Sequence, residues 1–505
     1  MKQIDRYSRC ALILCFAVLG FAVMGYHPGL EDDAIYLPAV KADLNPALYA
    51  HNSDFFRLQV QATVFDQFMA GFVRLTHIPV AWAELFWQFV SLFVVLWACH
   101  GIARRLFAET RAQWAAVAMV SAMFTLPVSG TALFLMDQHL HPRNLATALV
   151  LLAVGRVLED RRWQAVPLLV LAFAFHPLMA ALGISFCIFL AAALSETVPV
   201  RLRALRSSTA AAIPLGWVFE PPNAGWRKAL DAHTYYYLYK WHWYEWLGAL
   251  APLALFWLLW RVAREHSERS PQRQVSVVGV KESRLARFAL AVFAYGVFQQ
   301  ALAFAMLTPP SLIRLTPLQP MRYLQLVYFF MALIAGGLLG KFALRTKVWR
   351  WATFLLIFNG GMLWAQCAEF SASQHIEWPG REPSNPWLQA FAWIRNHTPT
   401  DAYFALDPDY LEAKGEDYHG FRALAERSQL ADAVKDAAAV TQVPELGPEW
   451  ERQVTAEEGW RSFQVADFER LKRAFGVDWV LVDLRQSASL DCRWHNDSLA
   501  VCVIP

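Results

Sequence analysis

"RCALILCFAVLGFAVMGYHPGLEDDAIYLPAVK", residues 9–41, joins a membrane-length apolar run to three consecutive acids. An ionised carboxylate costs roughly 2.5–3.5 kcal/mol at the centre of a bilayer. Glu31, Asp32 and Asp33 therefore sit in water or against a cation. They mark either the end of a span or the start of a site. A basic start, Lys2, Arg6 and Arg9, precedes the run. A secretory signal has the same shape, but no small-residue cleavage site follows cleanly and further apolar runs come after. The reading adopted is an uncleaved first span.

The whole chain supports that choice. Of 505 residues, 56% are hydrophobic, with a mean hydropathy of +0.28. Soluble domains run at about 45–50% apolar. The net charge of +3 excludes little, and no basic tract suited to nucleic acid stands out. The 22 Trp and 35 Phe fall often near the ends of apolar runs, as membrane interfaces favour. The seven cysteines show no metal-ligand spacing.

Apolar segments lie near 10–26, 80–101, 114–133, 143–157, 164–176, 178–195, 208–220, 246–261, 288–308, 322–340 and 351–368. They predict a polytopic α-helical membrane protein of about 11 transmembrane helices. With the N-terminus inside, every inner segment is basic. The first four hold Lys2, Arg6 and Arg9; Arg104, Arg105 and Arg111; Arg156, Arg161 and Arg162; and Arg201, Arg203 and Arg206. Seven more basic residues lie between Arg261 and Arg287, and four between Lys341 and Arg350. The outer loops hold most of the loop acids. This agrees with the positive-inside rule. It puts a large first outer loop, 27–79, and everything after 369 on the far side, expected to be a bacterial periplasm. Residues 164–195 are short for two spans, and a single helix kinked at Pro177 is the alternative. Two short helices keep Arg201–Arg206 inside.

Residues 1–369 thus form a transmembrane domain and 370–505 a soluble extracytoplasmic one. "NPWLQAFAWIRNHTPTDAYFAL" predicts helix, turn and strand; "ADFERLKRAFGVDWVLVDL" predicts helix, Gly stop and strand. "CRWHNDSLAVCVIP" predicts a hairpin turning at Asn496-Asp497-Ser498. The tail is expected to be a small α/β domain. Cys492 and Cys502 flank the turn and either pair across it or stay free.

The unusual polar residues collect in the outer loops. After Glu31, Asp32 and Asp33 come "MDQHLHPRN", with Asp137, His139, His141 and Arg143, and then His176 before Pro177. The aromatic loop "GWRKALDAHTYYYLYKWHWYEW" carries Tyr237 and Lys240, and "SLIRLTPLQPMRYLQ" carries Arg314 and Arg322. Acids take protons or hold a divalent cation. Arg and Lys hold phosphate, and aromatics line grooves for lipid or stack on sugars. Each feature also has a plain reading: a solvated loop start, a buried hydrogen-bond cluster, a helix cap at His176, an aromatic belt, headgroup contacts for the arginines. The functional reading rests on their meeting on one membrane face.

With "GLEDDAIYLP" after the first span, "MDQHLHPRN" after the third, the arginine loop "IRLTPLQPMRYL" and a soluble tail opening on "WLQAFAWIRNHTPTDAYFAL", the chain resembles the GT-C superfamily of integral membrane glycosyltransferases. No "WWDYG"-type sequence is present, which speaks against the oligosaccharyltransferase branch. The resemblance implies a GT-C-like fold and transfer of a hexosyl or pentosyl unit, from a polyprenyl-phosphate-linked sugar to a periplasmic acceptor of the cell envelope. It implies a catalytic acid among Asp33, Asp32 and Glu31, with Asp137 as the second-loop acid. His139, His141, Arg143, His176, Arg314, Arg322, Tyr237 and Lys240 are the candidate substrate-binding residues. Mg or Mn is a candidate cofactor, with Asp33 and Asp137 as candidate ligands, and membrane lipid is an expected partner.

Two other classes stay open. A lipid or saccharide transporter would show internal repeats and charges at mid-membrane. A catalytically silent GT-C-like scaffold would keep the fold and bind lipid or a partner. Convergence of Asp33, Asp137 and Arg322 around an outward cavity favours the enzyme.

Overall fold

The structure is a computed structural model and describes residues 6–195, 216–268 and 277–505. Nine helices fill its first part: α1 (Arg6–Met24), α2 (Asp33–Leu44), α3 (Asp54–Val60), α4 (Phe65–Thr76), α5 (Val80–Leu106), α6 (Thr110–Ala122), α7 (Pro142–Leu158), α8 (Arg162–Phe175) and α9 (Pro177–Leu194). Longer helices follow at Trp243–Glu268, Val277–Leu307, Leu324–Leu339 and Val348–Glu369. Among the described residues, six segments are long and apolar enough to cross a membrane: Tyr7–Met24, Val80–Leu106, Pro177–Leu194, Trp243–Glu265, Lys281–Leu307 and Pro320–Leu344.

Ten of the expected apolar segments are helices. The one near 208–220 lies largely outside the described residues, where only the turn Gly216–Phe219 is seen. The span expected over 114–133 is cut short. α6 ends at Ala122, and the chain then forms the antiparallel pair β1 (Pro127–Val128) and β2 (Leu133–Phe134). The break comes at Gly130, which has φ +62° and packs so closely on Trp241 that a Cβ would lie 2.1 Å from the indole. With 13 residues α6 spans about 20 Å, short of a bilayer core of about 30 Å. α8 and α9 are the expected short pair, hinged at His176, whose ring nitrogen accepts from the Met179 N–H.

Small residues let the helices close. A Cβ on Gly336 would lie 2.5 Å from the Ala115 carbonyl of α6, so the Leu324–Leu339 helix and α6 touch nearly backbone to backbone. One apolar core runs from Ile13 to Phe354 through these helices. Its basic loops meet at one end: Arg105 pairs with Glu159, Lys281 Nζ donates to the Phe107 carbonyl at 3.1 Å, and Lys341 lies 3.2 Å from Glu282.

The tail builds a five-stranded sheet in the order β4-β3-β5-β7-β6. Its strands are β3 (Tyr403–Ala405), β4 (Ser428–Gln429), β5 (Trp479–Asp483), β6 (Asp491–His495) and β7 (Leu499–Val503). β3 pairs in parallel with β4 and β5, and the β6–β7 hairpin adds antiparallel. The Pro386–His397 and Val465–Phe475 helices form as the sequence predicts, and Gly476, at φ +78°, ends the second. Cys492 and Cys502 are joined in a disulfide. The tail packs onto the loop helices: Phe55, Trp226 and Tyr236 share a core with Ala437 and Trp450. Beside it the buried Arg422 makes a bidentate pair with Asp436, at 2.7 and 2.9 Å.

Candidate active site

Two backbone turns set the first acid motif. Gly29 (φ +79°) and Glu31 (φ +52°) are left-handed, so the chain leaving α1 folds over sharply before α2. The turn is bonded on both sides: His27 N–H to the Gln138 carbonyl at 3.0 Å, and Glu31 N–H to the Tyr418 carbonyl at 2.9 Å. Successive helical residues point about 100° apart, and Asp32 and Asp33 diverge accordingly. Asp33 is buried, and its Oδ2 accepts from the Gly29 N–H at 2.6 Å on the side of Glu84. Burial pushes Asp33 up to about 7, against that N–H bond. Asp32 turns the other way and keeps 30% exposure.

The second motif meets Asp32. Its loop is pinned by buried amides: Gln88 Nε2 donates to the Asp137 carbonyl at 2.6 Å, and Asn144 Nδ2 to the His139 carbonyl at 3.2 Å. His141 caps α7, its Nδ1 accepting from the Arg143 N–H at 2.9 Å. Pro142 follows as the first helical residue, where its missing N–H costs nothing. Arg143 donates through Nε and Nη2 to Asp137, at 3.1 and 2.6 Å. Its Nη1 has no hydrogen-bond partner and lies 3.7 Å from Asp32 Oδ2. His141 Nε2 lies 3.5 Å from the same oxygen. The rings of His139, His141 and His176 follow one another at 6.0 Å steps.

The tail supplies the last cation. Lys435, at the start of the Lys435–Gln442 helix, pairs with Glu31 and reaches Asp32 Oδ1 at 3.2 Å. Burial works against the ionised Asp32, but Lys435, His141 and Arg143 outweigh it and hold the carboxyl well below the usual range. Burial pushes His139 and His141 down to about 4 and His176 well below its ordinary value. At neutral pH the site thus holds an ionised acid, three neutral imidazoles and fixed cations.

Arg322 joins this set. Its Nε has no partner, and it lies within electrostatic reach of Asp32, Arg143 and His176. Tyr235 and Tyr236 form a small pocket with it. Arg314 does not join: its guanidinium donates to the Glu220 carbonyl at 2.8 Å and the Pro221 carbonyl at 3.3 Å, bracing a neighbouring loop. Tyr237 and Lys240 are occupied elsewhere, the phenol donating to Asp231 at 2.6 Å and the ammonium 4.5 Å above the ring. Asp33 and Asp137 do not form a metal pair. Arg143 fills both oxygens of Asp137, and Asp33 points away, so a cation between them does not fit this arrangement. The group among the described residues with metal-ligand geometry is His27, Glu377 and His419. Nothing in the sequence flagged Lys435, whose partners Glu31 and Asp32 lie 404 and 403 positions away, or Glu377, which is 350 positions from His27 and 42 from His419.

No protein-family model matches this chain, and no curated protein matches it. Among solved structures it is similar to the oligosaccharyltransferase of Archaeoglobus fulgidus in its apo form, at 11% identity and TM-score 0.44, over 96% of this chain and 70% of that one. The same enzyme in complex with Zn and sulfate gives 12% identity and TM-score 0.38, over 94% and 68%. The archaeal oligosaccharyltransferase AglB from that organism, with an inhibitory peptide and a dolichol-phosphate, gives 13% and 0.36, over 95% and 69%.

Proposed function

We propose that this chain is a GT-C-type glycosyltransferase of the bacterial inner membrane, moving a sugar from a polyprenyl-phosphate carrier to an acceptor at the periplasmic face. One observation carries the reading: Asp32 is a half-open carboxylate 3.7 Å from Arg143 Nη1 and within electrostatic reach of Arg322, and neither Arg143 Nη1 nor Arg322 Nε has a hydrogen-bond partner. The charge of the basic end supports the sidedness, with the N-terminus cytoplasmic and the tail periplasmic. The Cys492–Cys502 bridge suits an oxidising compartment.

The chemistry follows from charge. The acceptor hydroxyl oxygen bonds to the anomeric carbon. The bond from that carbon to the carrier phosphate breaks, and its electron pair leaves with the phosphate. Asp32 takes the hydroxyl proton. Arg143 and Arg322 stabilise the departing anion in a site poor in water, where such donors are worth most. Asp32 alone is a weak base because cations surround it. A phosphate seated on Arg143 and Arg322 shares their charge and restores its basicity. The neutral imidazoles accept and donate hydrogen bonds to sugar hydroxyls without adding charge.

The pairing of Asp137 with Arg143, and of Glu31 with Lys435, favours a second reading, a silent scaffold that grips lipid phosphate. The test is the purified chain in liposomes with a labelled polyprenyl-phosphate sugar and envelope acceptor fractions. Asp32→Asn is expected to lower transfer by at least about 100-fold while carrier binding persists, and Arg322→Gln to weaken both. Full turnover by Asp32→Asn removes the proposed base. Carrier binding with no transfer by the unaltered chain establishes the scaffold.

A further inference from the structure

We propose that His27, Glu377 and His419 bind a metal ion of the zinc class, clamping the end of the first span to the C-terminal region. The site stands apart from Asp32 and does not rest on the transfer reaction.

The ligating atoms already lie together. One nitrogen from each imidazole and one Glu377 oxygen fall within 4.8 Å of one another. His27 Nδ1 is 2.8 Å from Glu377 Oε1, and His419 Nε2 is 3.0 Å from the same oxygen. Zinc takes nitrogen and oxygen ligands at about 2.0–2.2 Å in a tetrahedron. That geometry spaces neighbouring ligand atoms by roughly 3.3 Å, so the two nitrogen–oxygen gaps need to open by about half an ångström or less, while the two nitrogens already lie within 4.8 Å of each other. The carboxylate is a hard donor, but the two imidazoles are borderline ones, and they select zinc, copper or cobalt over magnesium.

The surroundings are those of a built site. Both imidazoles are fully buried. His419 Nδ1 has no hydrogen-bond partner and lies 3.3 Å from Glu416 Oε1, which accepts from the His419 backbone N–H. With a metal on Nε2, a small turn of the ring brings Nδ1–H onto that carboxylate, the outer partner that orients a metal-bound histidine and raises its basicity. Glu416 is itself buried, and its second oxygen has no partner. The backbone holds the three ligands in register: Glu377 N–H donates to the Tyr26 carbonyl at 2.9 Å, and Leu30 bridges His419. Glu377 keeps 12% exposure and lines a cavity of about 500 Å³ beside Lys41, Glu84 and Trp378. That cavity offers an entry path and room for a water as the open fourth ligand.

The alternative is a metal-free ion cluster in which a proton on His419 bridges Glu377 and Glu416. The full chain, purified in detergent and stripped with a chelator, separates the two. Zn2+ is expected to bind at one equivalent by elemental analysis, and Co2+ to give the intense visible bands of a four-coordinate imidazole site. Glu377→Gln is expected to weaken Zn2+ at least about 100-fold and Glu416→Gln about 10–100-fold, whereas Asp137→Asn leaves it unchanged. Absence of stoichiometric Zn2+ and of the Co2+ bands overturns the proposal in favour of the ion cluster. Loss of binding in Asp137→Asn overturns it in favour of the acid loops. If the Glu377 variant does not fold, stoichiometry and spectrum of the unaltered chain decide alone.

Discussion

Asp33 opens α2 with its carboxylate folded back onto Gly29, and burial raises it from 3.8 to about 7. A carboxyl raised on folding binds its proton more tightly in the native than in the unfolded chain. Its contribution is therefore full at low pH and declines as pH rises between about 4 and 7. Asp33→Asn is expected to flatten that slope in part, because the buried Glu84 carboxyl shares the site. The melting temperature of the variant is expected to fall less than that of the parent across this window, and parallel curves dismiss the assignment. The run of three acids was legible as a candidate site. Which acid faced the cations was not, because adjacent helical residues part by about 100° and Lys435 lies 403 positions from Asp32.

Helices show the same division. The hinge at His176-Pro177 was readable, since a residue before proline is driven out of helical conformation. The tail's helices and hairpin were readable from period and turn residues. The β1–β2 turn was not, because "LPVSGTALF" is apolar enough to pass for the end of a span. Neither was the seat of α2. That helix packs on Gly420, where a Cβ would lie 2.4 Å from Ala34 Cβ, and Lys41 crosses to the Ala423 carbonyl at 2.7 Å. Gly420→Val is expected to cost about 1–3 kcal/mol by overpacking and to lower transfer by tilting α2 and with it Asp32. Denaturant midpoints and transfer rates on one preparation check both. Unchanged values mean that α2 is not seated there.

At the size of the whole chain, the charge asymmetry read from the loops reappears as a physical end: Arg105, Lys281 and Lys341 close one pole, while Asp32, Arg143 and Arg322 gather away from it. A periplasmic tail predicts that alkaline phosphatase fused after Pro505 is active and that a reporter needing the cytosol is silent; the reverse result inverts the topology. The convergence expected of Asp33, Asp137 and Arg322 came instead through Asp32. Arg314, Tyr237 and Lys240 fell away because backbone carbonyls, Asp231 and each other claim them.

Lys435 has a consequence for biogenesis. Translation delivers Glu31 404 residues ahead of the ammonium that neutralises it. Until the segment carrying Lys435 emerges and docks, Glu31 lacks its partner and Asp32 has, among the described residues, Arg143 alone as a fixed cation within 4 Å. A polypeptide stopped short of Lys435 lacks the ammonium that closes the acid turn onto the tail, so this turn reaches its folded arrangement only after the C-terminal region docks.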